Sequence, residues 1–233
     1  MNAVTRIISW NCNNQLGRKL SKLSELKPDV AVVQECERDL DVPEGFTFHW
    51  RGDNPRKGLG VLCRDSKSRV CGLESPAWTY FLPIELPGLN LRLLAVWAFN
   101  FRAQKFGDAR TGNAREVIVE LSDWLGAGPS LVVGDFNNNL KWDTARGQYN
   151  FADIVKTCSA LGMRSVYHSD TGDAFGEEQQ PTFLHTKNPE KPFHIDYCFV
   201  GDQLSVQGFR VEPFHHWLTD SDHVPLILEV DAV

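Results

Sequence analysis

Five short polar signatures are spread along the 233-residue chain: Trp10-Asn11, Gln34-Glu35, Gly134-Asp135-Phe136-Asn137, Ile195-Asp196-Tyr197 and Ser221-Asp222-His223. Their carboxylates, amides and single imidazole are the groups that cutting a phosphate ester requires. That chemistry needs a base to orient a water, a partner for charge on the phosphoryl oxygens, and hard oxygen ligands for a divalent ion. Each signature abuts a run of β-formers, where a strand end can hold a side chain rigidly over a pocket. Singly, each has an ordinary reading: Gly-Asp-Phe-Asn as a tight turn, Glu35 as a solvated strand end, Ser-Asp-His as a capped loop. Their order and context supply the specificity.

The flanking patterns give the elements that must position these groups. Val4 to Trp10 reads as a strand, and Leu16, Leu20, Leu23 and Leu26 recur at helical spacing until Pro28. Asp29 to Gln34 is a short apolar run suited to a buried strand, so the chain opens as a β-α-β unit with two signatures at strand ends. Further strands are predicted over 57–64, 89–98, 131–133, 194–200, 204–211 and 224–230, and helices over 117–125 and 154–161. Gly134 is read as allowing a tight exit from its strand. Residues 168–181, with Asp170, Asp173, Glu177, Glu178 and two glycines, read as an exposed loop. The pattern predicts an α/β or α+β fold of two mixed sheets packed face to face with helices outside.

With 42% hydrophobic residues, no low-complexity tract and no internal repeat, residues 1–233 read as one domain. The six cysteines show no CxxC spacing and read as buried free thiols. The N-terminus runs almost directly into a strand, with no pattern of a signal peptide, and no apolar run is long enough to span a bilayer. The expectation is a cytoplasmic monomer with no membrane contact and no obligatory protein partner. A net charge of −6 argues against broad affinity for polyanions, although a metal ion and a local basic rim could still accommodate a nucleic acid.

As an ordered set, the signatures resemble the endonuclease/exonuclease/phosphatase superfamily, including the exonuclease III type of abasic-site nuclease and pancreatic deoxyribonuclease. The resemblance runs from Trp10 to Pro225, and its most specific parts are Gly134-Asp135-Phe136-Asn137 and Ser221-Asp222-His223-Val224-Pro225. It implies a four-layer sandwich with a divalent-metal site at one edge of the two sheets. On this reading Glu35 is the principal Mg²⁺ ligand, with Mn²⁺ as an alternative ion, and Asn11 offers an amide oxygen to the ion or its waters. Asp135 orients and deprotonates the attacking water. Asn137, two residues on along an extended segment, lies on the same face and donates to a phosphate oxygen. His223 as an imidazolium partners the phosphoryl oxygens, and Asp196 accepts its other ring N–H. The family implies that Asp222 lies near the metal or the water.

Two departures from the family pattern bear on the substrate. Asn13 stands where its nucleases often carry an acidic residue, which removes one carboxylate from the metal side. Trp97 stands where a histidine or tyrosine usually lies near the leaving group; indole cannot transfer a proton but can stack on a base or sugar. Asn100 matches a position that helps hold the phosphate. Arg102, Lys105, Arg110 and Arg115 form the densest basic stretch, and Trp142 lies in a polar loop beside Asn137, a mixture suited to a nucleic-acid strand. The sequence therefore predicts a metal-dependent nuclease preferring DNA. A phosphoesterase for a small molecule or lipid headgroup is the alternative, and a non-catalytic binding module is a third.

Overall fold

The computed structural model describes residues 4–71, 78–99, 114–147 and 149–231. Asn100, Arg102, Lys105 and Arg110 lie outside the described residues. One six-stranded sheet contains β1 (Val4–Asn11), β2 (Val30–Cys36), β3 (Thr47–Asn54), β4 (Lys57–Cys63), β13 (Val206–Val211) and β14 (Leu226–Asp231), in the order β13-β14-β1-β2-β4-β3. The other contains β5 (Arg69–Val70), β6 (Phe81–Leu86), β7 (Leu91–Trp97), β8 (Ser130–Asp135), β9 (Met163–Ser165) and β12 (Asp196–Gly201), in the order β5-β6-β7-β8-β12-β9. A two-stranded ribbon, β10 (Phe183–Leu184) and β11 (Pro192–Phe193), stands apart from both. Each large sheet is mixed: β1 runs parallel to β2 and β7 parallel to β8, while the other pairings are antiparallel.

Side chains alternate across a strand, and here the alternation sorts them into layers. In β2, Val30 and Val32 join the core that also holds Leu93 and Val133 of the other sheet, whereas Ala31 and Val33 turn to the outer core with Leu16, Leu23 and Trp217. In β8, Leu131 and Val133 face the first sheet, while Val132 packs with Val117 and Ile118 of helix Ala114–Glu120 and Ile154 of helix Phe151–Ala160. Both sheets are thus covered on both faces, which explains the continuous apolar runs that mark their strands. The result is two mixed sheets face to face with helices outside.

Three local readings need correction. The helix predicted over 117–125 is two short helices, Ala114–Glu120 and Ser122–Gly126, separated at Leu121. Residues 168–181 are not a plain exposed loop. Helix Val166–Thr171 occupies their start, and the Glu178 side chain is 2% exposed, held 3.3 Å from His168 Nε2 and bonded by Asn139 Nδ2 at 3.1 Å. These hydrogen bonds pull its pKa down to about 2 against the opposing effect of burial. Gly134 lies within β8 rather than at an exit, with φ +152 and its Cβ position 1.9 Å from the Val96 carbonyl oxygen. Only glycine permits that approach of two backbones. The six cysteines are free, and all but Cys71 are buried. Among the described residues no helix is long and apolar enough to cross a membrane.

Candidate active site

The two sheets bring their functional ends to one edge. The parallel pair β1 and β2 in one sheet and β8 in the other bring Asn11, Glu35 and Asp135 there, at or one residue before their C-terminal ends. The antiparallel β12 begins there with Asp196, which pairs in register with Asp135, and His223 stands shortly before β14, the antiparallel neighbour of β1. Residues far apart in the chain are therefore neighbours because strand direction reverses.

Asp135 is fully buried at the centre. Its Oδ1 accepts from the Asn137 backbone N–H at 2.8 Å, and its Oδ2 accepts from Asn137 Nδ2 and Asn11 Nδ2, both at 3.0 Å. Desolvation, reinforced by the Asp196 charge, raises its pKa to about 7, although His223 and the amide donors oppose that rise. Asn137 reaches this position differently from the strand alternation expected of it. Its φ is 45, so the chain turns left-handed just past β8 and folds the amide back onto Asp135 and the Ala98 carbonyl oxygen at 3.1 Å. Asparagine tolerates that conformation better than most residues.

His223 is buried beside it. Its Nδ1 donates to Asp196 Oδ2 at 2.9 Å, and its Nε2 lies 4.0 Å from Asp135 Oδ2. Burial disfavours the imidazolium, but the carboxylates of Asp196, Asp135 and Asp222 outweigh it and raise the pKa to about 9. Two further groups fix this pair. Thr182 Oγ1 accepts the backbone N–H groups of Ile195 and Asp196, each at 3.1 Å, and Ser221 Oγ donates to the Asn11 carbonyl at 2.7 Å while accepting the His223 N–H at 3.0 Å. Ser221 is thus a joint between the first and last signatures.

Glu35 departs from ordinary strand geometry. The β2–β4 pairing shifts register between Gln34 and Cys36, and the intervening Glu35 has φ 63, a bulge that re-aims its side chain. Gln34, by contrast, ties the sheets together, donating through Nε2 to Ser9 Oγ at 3.2 Å and to the Val96 carbonyl of β7 at 3.3 Å. Glu35 Oε2 lies 2.8 Å from Lys57 Nζ, and its Oε1 is 3.4 Å from Asn11 Nδ2. Glu35 offers the hard carboxylate oxygens that a small divalent ion would take, with the Asp135 carboxylate across Asn11, and in the structure Lys57 neutralises it. Asn11 turns its amino group to both carboxylates while its oxygen accepts the Asn13 N–H at 3.1 Å. Asn13 itself has φ 51 in a left-handed run with Asn14 and Gln15.

A second group, Asp135, Asp196 and His223, also places potential ligand atoms within 4.8 Å of one another. There Nδ1 of His223 is engaged by Asp196 and Nε2 faces Asp135, and the same carboxylates raise the ring's pKa. The hydrogen-bonded acid–imidazolium description accounts for this group better.

Sequence reading missed Lys57 and Lys19. Lys19 Nζ is surrounded by the carbonyl oxygens of Cys12 (2.5 Å), Asn14 (2.8 Å), Asp220 (2.8 Å) and Asn13 (3.3 Å), tying the loop after Asn11 to the loop before Ser221. Trp97 does not offer a stacking face. It is 2% exposed in the core between the sheets, against Tyr80 and Phe99, with Lys57 Nζ 5.6 Å from its ring centre. Trp142 is 45% exposed and is separated from the His223 ring by two others: it lies 5.3 Å from Phe193, which is 6.3 Å from Phe183, itself 4.5 Å from the His223 ring. Asp222 is half-buried next to His223, and its backbone carbonyl accepts from Leu184 N–H at 2.8 Å.

Known structures share this architecture. The 3′ phosphatase NExo from Neisseria, bound to a product DNA hairpin, superposes with a TM-score of 0.74 at 18% identity, covering 97% of this chain and 99% of that one. The AP endonuclease LMAP from Leishmania major gives 0.68 at 16% identity, covering 98% and 88%. A search of the curated proteins gives no match. The model of the endonuclease/exonuclease/phosphatase family matches residues 8–223, which run from β1 through His223, and the chain belongs to that family.

Proposed function

We propose that this chain is a divalent-metal-dependent phosphodiester hydrolase acting on DNA. The observation that carries the reading is the buried line Asp196–His223–Asp135, with hydrogen-bonded and facing atoms 2.9 and 4.0 Å apart, next to the Glu35 carboxylate. An imidazolium and a carboxylate of perturbed pKa, side by side, divide the work of phosphate hydrolysis between them.

Glu35, with Asp222 beside the site, would hold the ion, and a bound Mg²⁺ or Mn²⁺ would neutralise charge on the phosphoryl oxygens. Asp135, with a pKa of about 7, accepts the proton of the attacking water near neutral pH, where a base of that strength is most effective. Asn11 and Asn137 hold its carboxylate in one orientation, each through an Nδ2 contact of 3.0 Å. His223, protonated up to about pH 9, presents Nε2–H to a phosphoryl oxygen, and Asp196 fixes its ring from behind. DNA is favoured as substrate by the similarity to the two structures just described, one of them bound to a DNA hairpin and the other an AP endonuclease.

Net charge −6, together with Asn13 in place of an acidic residue, supports a second reading, a phosphoesterase for a small molecule. The test incubates purified protein with Mg²⁺ or Mn²⁺ and supercoiled plasmid, an abasic duplex, single-stranded DNA, RNA or a generic phosphodiester, with Asp135→Ala as control. Metal-dependent cleavage of DNA is expected. Turnover of the small ester alone would establish the second reading, and no turnover on any substrate would point to a binding module.

A further inference from the structure

Lys57 opens β4 opposite the bulge at Glu35, where Gly58 stands across from Cys36 and Leu59 from Gln34. Its Nζ lies 2.8 Å from Glu35 Oε2 and 5.6 Å from the ring centre of Trp97, the residue of β7 that pairs in register with Asp135. An ammonium from one sheet thus stands at the seam with the other, beside the carboxylate read as the metal ligand. It also lines a cleft of about 350 Å³ with Asp53, Asn54, Tyr80, Trp97 and Phe99. Among these lining residues Lys57 alone is cationic, and the Asp53 carboxylate is engaged by the Tyr80 hydroxyl at 2.5 Å.

Among the described residues, the groups that reach the Glu35 carboxylate are donors. Asn11 Nδ2 is 3.4 Å from Oε1, while Asn14 Nδ2 and Lys57 Nζ are 3.5 and 2.8 Å from Oε2. The two amides can turn their oxygens toward a cation, but an ammonium has no acceptor to offer. A divalent ion on Glu35 and Lys57 on the same carboxylate repel each other at contact range. Lys57 is the group able to yield. Its side chain is 39% exposed, the ion pair at such a surface contributes little to stability, and the flexible four-carbon stem lets the head swing without disturbing β4.

We propose that Lys57 is a substrate-binding residue that exchanges partners: it neutralises Glu35 until a divalent ion takes that carboxylate, and then pairs with a non-bridging phosphate oxygen of the substrate strand. A phosphate supplies the anionic oxygen that the released ammonium requires, whereas a base or a sugar carries no charge to replace Glu35. The exchange couples the two ligands. An ion on Glu35 frees Lys57 for the strand, and a strand that holds Lys57 frees Glu35 for the ion, so each strengthens the binding of the other by the same factor. The inference rests on Glu35 as the ligand of the ion and on the nuclease reading, and it adds a residue that links metal to substrate.

The experiment measures binding without cleavage. Calorimetric titration with Mn²⁺ alone compares the natural chain, Lys57→Met and Glu35→Gln. Lys57→Met should bind Mn²⁺ about threefold to fivefold more tightly, the scale of a half-exposed ion pair that no longer competes. Glu35→Gln should bind it at least about tenfold more weakly. Fluorescence anisotropy of a short labelled DNA single strand follows, with every chain also carrying Asp135→Asn so that the strand stays whole. In EDTA, Lys57→Met should bind the strand as the natural residue does. In Mn²⁺ it should bind about fivefold more weakly, with a slope of log affinity against log salt smaller by about 0.7, the mark of one lost phosphate contact. Lys57→Gln gives the same readouts if Lys57→Met folds poorly. Unchanged Mn²⁺ affinity in Lys57→Met, or a loss of DNA affinity equal in EDTA and Mn²⁺, would overturn the exchange alone. Unchanged Mn²⁺ affinity in Glu35→Gln would overturn the placement of the ion beneath it, and no strand binding by the natural residue in either medium would sink the nuclease reading, each carrying the exchange with it.

Discussion

Asn11, at the end of β1 in one sheet, donates through Nδ2 to Asp135 Oδ2, at the end of β8 in the other, over 3.0 Å. The candidate active site is therefore a seam between two sheets, and its central carboxylate is oriented by an amide from the opposite side. A donor to the ionised form favours ionisation. Replacing Asn11 by Ala is expected to move the acid limb of the pH–rate profile upward from about 7 and to lower kcat by roughly a hundredfold, the scale of a misaligned general base. An unmoved acid limb would mean that Asn11 does not tune Asp135.

The Asp196–His223 bond makes the opposite prediction at the alkaline end. Asp196 raises the His223 pKa to about 9 by stabilising the imidazolium, so activity should decline as pH rises through that value. In Asp196→Asn the alkaline limb should fall toward the ordinary histidine value near 6.5, and the acid limb should fall with it because the Asp196 charge also helps to raise Asp135, so the whole bell moves to lower pH. NMR titration of the His223 ring checks this without turnover; a ring pKa unchanged from that of the natural chain would refute the pairing.

Metal should act on the acid limb as well. A cation on Glu35, across Asn11 from Asp135, favours the charged carboxylate, so raising Mg²⁺ is expected to shift the lower apparent pKa downward from about 7. The check is the profile at several Mg²⁺ concentrations, alongside calorimetric titration of Glu35→Gln, which should bind the ion at least tenfold more weakly. An acid limb that ignores Mg²⁺ would place the ion away from Asp135.

Much of this arrangement was legible in the chain because apolar runs and polar strand ends are local patterns. Val30 to Val33 and Leu131 to Val133 announce buried strands whichever way they pair, and the residues following them announce the site. The conformation of Glu35 was not legible, because its φ of 63 arises from a register shift against β4. Lys19 was hidden for another reason: its partners are backbone carbonyls, which carry no residue type. Glu178 read as exposed because lone glutamates usually are, and its burial depends on His168 and Asn139, brought there by the fold. Trp97 read as a contact for substrate, yet the sheet pairing turns it into the core.

Two stability predictions follow from those hidden contacts. Lys19→Met leaves carbonyls of both site loops without their shared donor and should cost about 1–3 kcal/mol in urea unfolding. Gly134→Ala meets the Val96 carbonyl oxygen 1.9 Å from the new methyl group and should cost more, about 3–5 kcal/mol or failure to fold. Wild-type unfolding midpoints in either variant would contradict these assignments.

The central claim is that Asp135 is the base of a metal-dependent DNA hydrolase. The direct measurement is single-turnover cleavage of a DNA duplex in Mg²⁺ by the natural chain and by Asp135→Asn, with melting temperature and DNA binding in EDTA measured on the same samples. Asp135→Asn is expected to fold and bind DNA as before while losing about a thousandfold in rate. DNA cleavage by Asp135→Asn at the natural rate would contradict the account.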